Sequence, residues 1–274
     1  STTSNNAPSP VLFVSHGAPT FALEPGLLGP QLGTLGRSLE GVQALLVVSP
    51  HWQTRSVRVM SNPSPQTVHD FGGFPSALYQ LHYPAKGSPD FAQMTLEQLN
   101  AAGIDATLDE GRGLDHGAWV PLMHLAPQAD LPVFQVSLPF SYTTQDAFAL
   151  GQALAPLRQR GVMIVGSGSM THNLSELEQP HAPAEVYAQA FSEWIKHAVL
   201  SGADHALQHY RVEAPWAERA HPSEEHFLPL LVAMGAGQEQ DQVEYLYGGI
   251  EYGVLSMDSF VWSHHAHESR ISPL

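Results

Sequence analysis

The sequence predicts a single α/β domain in which helices flank a mainly parallel central sheet, with the active site at the carboxyl ends of strands. Short apolar runs alternate along the chain with longer segments whose apolar residues recur at helical spacing. Several short runs are continuously apolar, which is typical of parallel strands covered on both faces. The 274 residues, 43% of them hydrophobic, are enough for one large core.

The first half of the chain contains five predicted strands and two predicted helices. The strands are short runs rich in Val, Ile and Leu, and they cover 11–15, 43–49, 55–61, 104–108 and 133–138. The helices show the 3.6-residue pattern, and they cover 88–102, closed by Gly103, and 117–125, which follows a glycine-rich turn.

The second half contains three predicted strands and three predicted helices. The strands cover 162–165, which leads into Gly166-Ser-Gly-Ser, and then 242–247 and 255–262. The helices cover 143–160, which begins at Thr-Thr-Gln-Asp, 183–200, the longest, and 224–234. Each of these helices is followed closely by a glycine, namely Gly161, Gly202 or Gly235.

One folded domain, residues 11–274, is expected after a flexible N-terminal segment, residues 1–10. This polar, proline-containing start does not have the pattern of a signal peptide, and no run of about 18 apolar residues predicts a transmembrane helix. We therefore expect a cytoplasmic protein. The segment 62–84 is rich in Pro, Gly and aromatic residues without periodicity, and so long a loop in a compact domain is usually functional.

The composition restricts the possible partners and chemistry. Lys and Arg total 11 and Asp and Glu total 26, so the formal net charge is −15, which disfavours nucleic acid and anionic membrane surfaces as partners. With no cysteine, disulfides, thiolate metal sites and a cysteine nucleophile are excluded. A transition metal here must be held by His, Asp or Glu, and the sequence has 16 histidines.

Three histidines occupy the same kind of position. His16, His51 and His172 each follow a predicted buried strand. Ligands of open α/β sheets bind at the carboxyl ends of strands, so these three side chains can converge on one point. His116 lies just before a short predicted helix, and His226 lies in the predicted first turn of the helix 224–234.

Each of these histidines also has a structural interpretation. A lone histidine at a strand end is often only hydrogen-bonded to a carbonyl group, and no compact HxH or HExxH pattern is present. Their joint occurrence favours a metal site. Other chemistries fit less well: Gly166-Ser-Gly-Ser lacks the final glycine of a nucleophile turn, because Met170 occupies that place, and neither GxxxxGK[ST] nor GxGxxG occurs.

Six motifs, in order, give the chain a specific resemblance. They are Val14-Ser-His-Gly-Ala-Pro, Ser49-Pro-His-Trp, His69-Asp-Phe-Gly-Gly-Phe-Pro, Leu114-Asp-His-Gly-Ala-Trp, Ser169-Met-Thr-His-Asn-Leu and Glu225-His-Phe-Leu-Pro-Leu. With these motifs the sequence resembles the class III extradiol ring-cleavage dioxygenases of the LigB type, in the branch of the DOPA 4,5-dioxygenases. The resemblance spans about residues 11–260, so the domain 11–274 is expected to be a catalytic extradiol dioxygenase-like domain.

The resemblance implies a role for each of the five histidines. His16, His51 and His226 correspond to the metal ligands, His172 to the acid–base residue, and His116 to a pocket residue that places substrate or oxygen. The implied cofactor is non-haem iron(II), with zinc(II) as an alternative or adventitious metal.

Many members of the wider superfamily use two histidines and one carboxylate, for which Glu224 and Glu225 are candidates. Because a helix turns about 100° per residue, neighbours in a helix cannot point at one metal, so we prefer His226 over either glutamate.

The expected partners are a small aromatic substrate, of the DOPA type or another substituted catechol, and O2. Candidate substrate-binding residues are His69, Trp52, Phe71 and Tyr252, although each aromatic could equally belong to the core and His69 could cap its own loop. Two other functions stay open: a zinc hydrolase that uses the same histidines, and a non-enzymatic metal-binding protein of this fold. The oligomeric state, monomer or small homo-oligomer, also stays open.

Overall fold

The computed structural model describes residues 7–264, which fold around a central eight-stranded sheet. The sheet has the strand order β4-β3-β5-β2-β6-β1-β10-β7. Its strands are β1 (Val11–Ser15), β2 (Ala44–Thr54), β3 (Val57–Met60), β4 (Ala106–Asp109), β5 (Val133–Pro139), β6 (Val162–Gly168), β7 (Gln242–Leu246) and β10 (Ser259–Ser263). A separate two-stranded sheet joins β8 (Ile250–Glu251) to β9 (Leu255–Ser256).

The middle of the large sheet is parallel, as the sequence predicted. Strands β5, β2, β6 and β1 run in one direction, so their carboxyl ends meet at one edge. Strand β10 is antiparallel to β1 and to β7, while β3 is antiparallel to β5 and parallel to β4. All residues of β1, β5 and β6 are buried, which explains why these runs are almost continuously apolar.

Helices cover both faces of the sheet. They are α1 (Leu28–Gly36), α2 (Ser76–Tyr79), α3 (Pro89–Ala101), α4 (His116–Leu125), α5 (Thr144–Leu154), α6 (Val186–Leu200), α7 (Asp204–Gln208), α8 (Tyr210–Glu213), α9 (Ala217–Ala220) and α10 (Leu228–Ala236). Every residue of α10 is buried between the sheet and α5. Within the described residues, no helix is both long enough and apolar enough to cross a membrane.

Two of the predicted boundaries that were wrong concern histidines of the site. Strand β2 continues to Thr54, so His51 lies within it. The pairing register of β2 with β5 shifts between Val48 and Gln53, a stretch that contains Pro50. A proline is tolerated inside a strand at such an irregularity. Helix α10 begins at Leu228 rather than at 224, so His226 lies in the turn before the helix.

Other elements differ from the predictions in ways that local sequence explains. The predicted helix 143–160 is α-helical only to Leu154 and continues as a 3₁₀ helix, Ala155–Arg160, which contains Pro156. The predicted strand 255–262 is divided between β9 and β10. Helix α1 was not predicted, because its sequence LGPQLGTLG contains helix-weakening residues.

The N-terminal segment expected to be flexible, residues 1–10, is only partly described, since residues 1–6 lie outside the described range. Ser9 is buried, and its backbone N–H donates to the Arg158 carbonyl at 2.9 Å. The Arg158 Nε atom donates in return to the Ser9 carbonyl at 2.7 Å. The chain is therefore anchored two residues before β1.

The long segment 62–84 contains only one helical turn, α2, and is fastened to the start of α4. Thr67 forms a parallel bridge with Leu114, and the Trp119 indole donates to the Val68 carbonyl at 2.8 Å. These contacts hold the loop over the edge of the sheet where the parallel strands end.

Arg158 and Asp241 form a buried ion pair, with side chains 0% and 1% exposed. Two guanidinium nitrogens donate to the two carboxylate oxygens at 2.7 and 2.9 Å. Removing one partner leaves an uncompensated buried charge. We therefore expect Asp241→Ala to lower the free energy of unfolding by about 3–5 kcal/mol, as measured by urea denaturation.

The control for this prediction is the exposed pair of Arg58 and Asp109, whose closest nitrogen and oxygen atoms are 3.7 Å apart. Arg58→Ala should cost less than about 1 kcal/mol, because water screens that pair. Equal losses for the two variants would contradict a structural role for the buried pair.

Candidate active site

Five histidines meet where the parallel strands end, and we call them the five-histidine cluster: His16, His51, His116, His172 and His226. His16 directly follows β1, and its backbone N–H donates to the Gly168 carbonyl at the end of β6 at 2.9 Å. His51 projects from β2, and His116 is the first residue of α4. The predicted convergence of His16, His51 and His172 is thus confirmed, and His116 and His226 lie at the same place, although the predicted element ends at His51 and His226 were wrong.

Three members of the cluster form a nearly equilateral triangle, which we call the histidine triangle. The ring centroids of His16 and His51 are 5.2 Å apart, those of His16 and His226 are 5.4 Å apart, and those of His51 and His226 are 5.0 Å apart. The Nε2 atoms of His16 and His51 lie 3.3 Å from each other. These are the three residues that the resemblance marked as metal ligands.

The other two histidines lie against the triangle. The ring of His116 is centred 4.0 Å from that of His51, and His172 stacks on His226 with centroids 3.4 Å apart and an interplanar angle of 6°. Potential ligand atoms therefore fall into two groups, each within 4.8 Å: His16, His51 and His116 in one, and His172, Glu225 and His226 in the other.

The histidine triangle has the chemistry that a transition metal requires. The Nε2 atom of His226 is buried and has no hydrogen-bond partner among the described residues. Two nitrogen ligands about 2.1 Å from one metal ion are about 3.0–3.4 Å apart at octahedral to tetrahedral angles, which the separation of the His16 and His51 Nε2 atoms matches. The donors present therefore fit a metal bound by imidazoles: His16 and His51 have the required separation, and the unpartnered Nε2 atom of His226 is the third candidate donor.

Burial keeps these imidazoles in the neutral form that binds metals. Desolvation, followed by the charges of the neighbouring histidines, lowers the pKa of His16 and of His226 well below the usual range. The pKa of His51 is lowered to about 4, again chiefly by burial. At neutral pH each ring therefore carries one proton and leaves one nitrogen lone pair available.

Asp115, which is completely buried, supports the His51 side of the site. One carboxylate oxygen accepts from the Ser49 hydroxyl and from the Gly117 backbone N–H, which caps the start of α4. The other accepts from Gln135 and Arg112 at 2.8 and 3.1 Å. The carboxylate is thus used to join β2, β5 and α4 behind the metal ligands.

Asp70 supports His116 from the long loop. Its Oδ1 atom accepts from the His116 backbone N–H at 3.0 Å and lies 2.9 Å from the His116 Nδ1 atom. Although burial raises the pKa of Asp70, these interactions with His116 lower it overall. The Asp70 carboxylate thus holds the start of α4 and lies against the His116 ring.

His172 is only partly buried, and it lies beside Glu225 on the open side of the histidine triangle. Its backbone N–H donates to the Ala220 carbonyl at 2.7 Å, which fixes the loop after β6. Burial lowers the pKa of His172, against the opposing effect of the Glu225 carboxylate. A neutral, partly accessible imidazole can accept a proton from a bound molecule.

The four candidate substrate-binding residues are distributed unevenly around the cluster. Phe71 packs with its ring centred 5.5 Å from that of His116. The His69 ring is centred 6.1 Å from that of Phe71, and its Nε2 atom lies 2.8 Å from the Leu81 carbonyl oxygen. Trp52 is buried with the Arg112 guanidinium 5.2 Å from its ring centroid.

Tyr252 is the fourth, and it lies on the other side of the site. Its hydroxyl lies 3.1 Å from the Thr20 hydroxyl, four residues after His16, and its φ of 53° is in the left-handed region. Only Phe71 of the four candidates therefore has a ring contact with the five-histidine cluster among the described contacts.

Glu225 was set aside as a metal ligand on a helix boundary that is wrong. That prediction assumed a helix through residues 224–226, but α10 begins later, and the Glu225 Oε1 atom lies 3.2 Å from the Nδ1 atom of His226. Glu225 also accepts from the Ser223 hydroxyl at 3.0 Å. The carboxylate therefore orients His226 through the ring nitrogen that faces away from the metal position, a common arrangement around ligating histidines.

Comparison with known proteins identifies the family. A family model described as the catalytic LigB subunit of aromatic ring-opening dioxygenase matches residues 36–255. The chain belongs to this family. The "4,5-DOPA dioxygenase extradiol" of Escherichia coli K12 is 42% identical over 254 residues, covering 90% of this chain and 92% of the relative. The protein of the same description from Beta vulgaris is 39% identical, covering 90% and 94%.

A solved structure has the same fold. The crystal structure of an uncharacterized protein from Escherichia coli K12 superposes with a TM-score of 0.76 at 34% sequence identity, covering 92% of this chain and 99% of that one. Together these similarities make this LigB-family chain an extradiol aromatic ring-opening dioxygenase, as its six motifs predicted.

Gly117 allows α4 to approach His51 closely. A Cβ atom at this position would lie 2.3 Å from the Ser49 hydroxyl oxygen and 3.1 Å from the Cδ2 atom of His51. We expect Gly117→Ala to displace His51 and to weaken zinc or cobalt(II) binding by at least about tenfold, as measured by competition with a chelator. Gly111→Ala is the matched control, since the nearest atom to its Cβ would be 3.8 Å away. Unchanged metal affinity in Gly117→Ala would mean that this contact does not position His51.

Proposed function

We propose that this LigB-family dioxygenase uses non-haem iron(II) to open the ring of a catechol-type substrate by extradiol insertion of O2. The observation that carries the proposal is the histidine triangle, in which three neutral imidazoles lie with ring centroids 5.0–5.4 Å apart beside the partly accessible His172. His16, His51 and His226 are the proposed ligands.

Iron(II), when bound there, would supply coordination positions for a catechol and for O2 and the electrons that make O2 reactive. Three neutral imidazoles leave the metal one unit more positive than a site of two histidines and a carboxylate does. That difference favours a catecholate, and it also makes zinc(II) an alternative or adventitious occupant. A cytoplasmic location is part of the proposal, because a reducing compartment keeps iron in the ferrous state.

The proposed acid–base residue is His172. Its imidazole is neutral at pH 7, since burial lowers its pKa, so it can accept a proton from a catechol hydroxyl and later return it. His116, held by Asp70, is proposed to donate or accept a hydrogen bond toward the substrate or oxygen. His116 packs against His51 and His172 stacks on His226, so the two residues contact different members of the histidine triangle.

The proposed substrate is DOPA or another substituted catechol, because relatives with 34–42% identity are described as 4,5-DOPA dioxygenases. His69, Trp52, Phe71 and Tyr252 are the proposed substrate-binding residues, and the contact of Phe71 with His116 is the strongest support among them. Membership of a ring-opening family favours this function over the zinc hydrolase and over a non-enzymatic metal-binding protein.

The test is an anaerobic reconstitution. Protein purified without oxygen is loaded with iron(II), and catechol, protocatechuate or DOPA is added in air while the visible spectrum and oxygen uptake are recorded. A yellow semialdehyde product with stoichiometric oxygen uptake supports the proposal and ranks the substrates. No colour and no oxygen uptake with verified iron loading would instead favour the zinc hydrolase or a narrower phenolic substrate.

The roles of His172 and His226 are separable by substitution. His172→Ala should keep iron, as measured by metal analysis, and lose about 10²–10⁴-fold in kcat, since general acid–base catalysis contributes about that factor. His226→Ala should lose the metal itself, because a ligand is removed. Full turnover in His172→Ala would disprove its assigned role, and unchanged metal content in His226→Ala would remove that residue from the ligand set.

A further inference from the structure

The turn Gly166-Ser-Gly-Ser at the end of β6 has a function other than that of a nucleophile turn. Ser167 is completely buried and faces the end of β1. In the parallel pairing of the two strands Ser167 lies opposite Val14, and the His16 backbone N–H donates to the Gly168 carbonyl. The backbone therefore fixes where the Ser167 hydroxyl and the His16 ring stand relative to each other.

The Ser167 hydroxyl donates its one proton to the Gly117 carbonyl in the first turn of α4. A helical carbonyl normally accepts from the N–H four residues later, but here that residue is Pro121, which has none. Without Ser167 this buried carbonyl would lose a donor, and a buried unpaired polar group is costly. Pro121 thus explains why the serine proton points toward α4.

With its proton directed at Gly117, the Ser167 oxygen can only accept from its other neighbour. That neighbour is the His16 Nδ1 atom, 3.1 Å away. The proton of the neutral His16 ring must therefore be on Nδ1, which leaves the Nε2 lone pair free. This Nε2 atom is the one that lies 3.3 Å from the Nε2 atom of His51.

We propose that Ser167 is a positioning residue that holds His16 as the Nδ1–H tautomer and so directs its unprotonated Nε2 toward the metal position. The proposal deepens the proposed function, since it concerns the same metal site. The opposite tautomer would place two lone pairs against each other, or would turn the hydroxyl toward His16 and leave the Gly117 carbonyl without this donor. Either arrangement loses a buried hydrogen bond.

The direct test reads the tautomer in the metal-free, full-length protein. Histidine rings are labelled with ¹⁵N, long-range proton–nitrogen correlations are recorded at neutral pH, and the His16 signals are assigned by their absence from His16→Ala. Wild-type His16 should have a protonated Nδ1 and an unprotonated Nε2. In Ser167→Ala the preference should be lost, with an Nε2–H population appearing.

Metal affinity gives the second readout. The dissociation constant for zinc(II) or cobalt(II), measured by competition with a chelator, should increase about 10- to 100-fold in Ser167→Ala, which is the usual effect of removing a partner behind a ligand. Ser167→Thr retains the hydroxyl and should restore the tautomer. Ser137→Ala is the matched control, because Ser137 is equally buried but bonds to Thr54 and Arg58 on the other side of β2.

Two results would overturn the proposal: an Nε2–H tautomer for His16 in the wild type, or an unchanged tautomer and metal affinity in Ser167→Ala. If Ser167→Ala does not fold, the wild-type spectrum alone decides, since it needs no variant at that position. Because the tautomer is read without metal or catechol, a failure of ring opening would leave this test intact.

Discussion

The site depends on how closely helix α10 approaches the carboxyl end of β6. Added Cβ atoms at Gly166 and Gly168 would lie 2.2 and 2.3 Å from the carbonyl oxygens of Pro229 and His226, closer than any packed carbon and oxygen can be. The Ser169 backbone N–H donates to the same His226 carbonyl at 2.9 Å. The glycines therefore let the turn that carries His226 lie directly on the strand beside His16, and the histidine triangle is a consequence of that contact.

Neutral imidazoles and charged carboxylates occupy different positions around the site. The chain is strongly acidic, with a formal net charge of −15, yet the groups that point at the metal position are neutral imidazoles, because burial disfavours their protonated forms. The nearby carboxylates of Asp70, Asp115 and Glu225 accept from backbone or side-chain groups behind the histidines. Their negative charge would thus favour a cation in the site, to which the imidazoles offer their nitrogen lone pairs.

The start of α4 connects the histidine triangle with the long loop, residues 62–84. Asp115 caps this helix and binds the Ser49 hydroxyl next to His51, while Asp70 ties the long loop to His116 at its first residue. The missing N–H of Pro121 makes the same turn accept from Ser167, behind His16. One helix end is therefore linked to His51, to His16 and to the loop that carries Phe71, so a shift of this end would move all three together.

The sequence by itself determined the fold class, most strands, and the convergence of His16, His51 and His172, and its resemblance to a known family added His116 and His226. These features follow from local patterns: apolar runs specify buried parallel strands, and the order of strands brings their carboxyl ends to one edge. The predicted end of the strand was wrong at His51, because β2 continues past a register shift near Pro50. The predicted start of the helix was wrong at His226, because α10 begins only at Leu228. Neither the extension of β2 nor the late start of α10 is marked by a periodic pattern of apolar residues in the sequence.

Only the tertiary structure decided which side chains form hydrogen bonds with the histidines of the site and with Asp115. Ser167 meets His16 across 151 residues of sequence, and Gln135 meets Asp115 across 20, so no spacing along the chain could predict these pairs. Side-chain direction at a strand end depends on the register between strands and on the helix packed above them. Hydrogen-bond partners are thus fixed by packing, whereas the candidate metal ligands can be recognised from local sequence motifs.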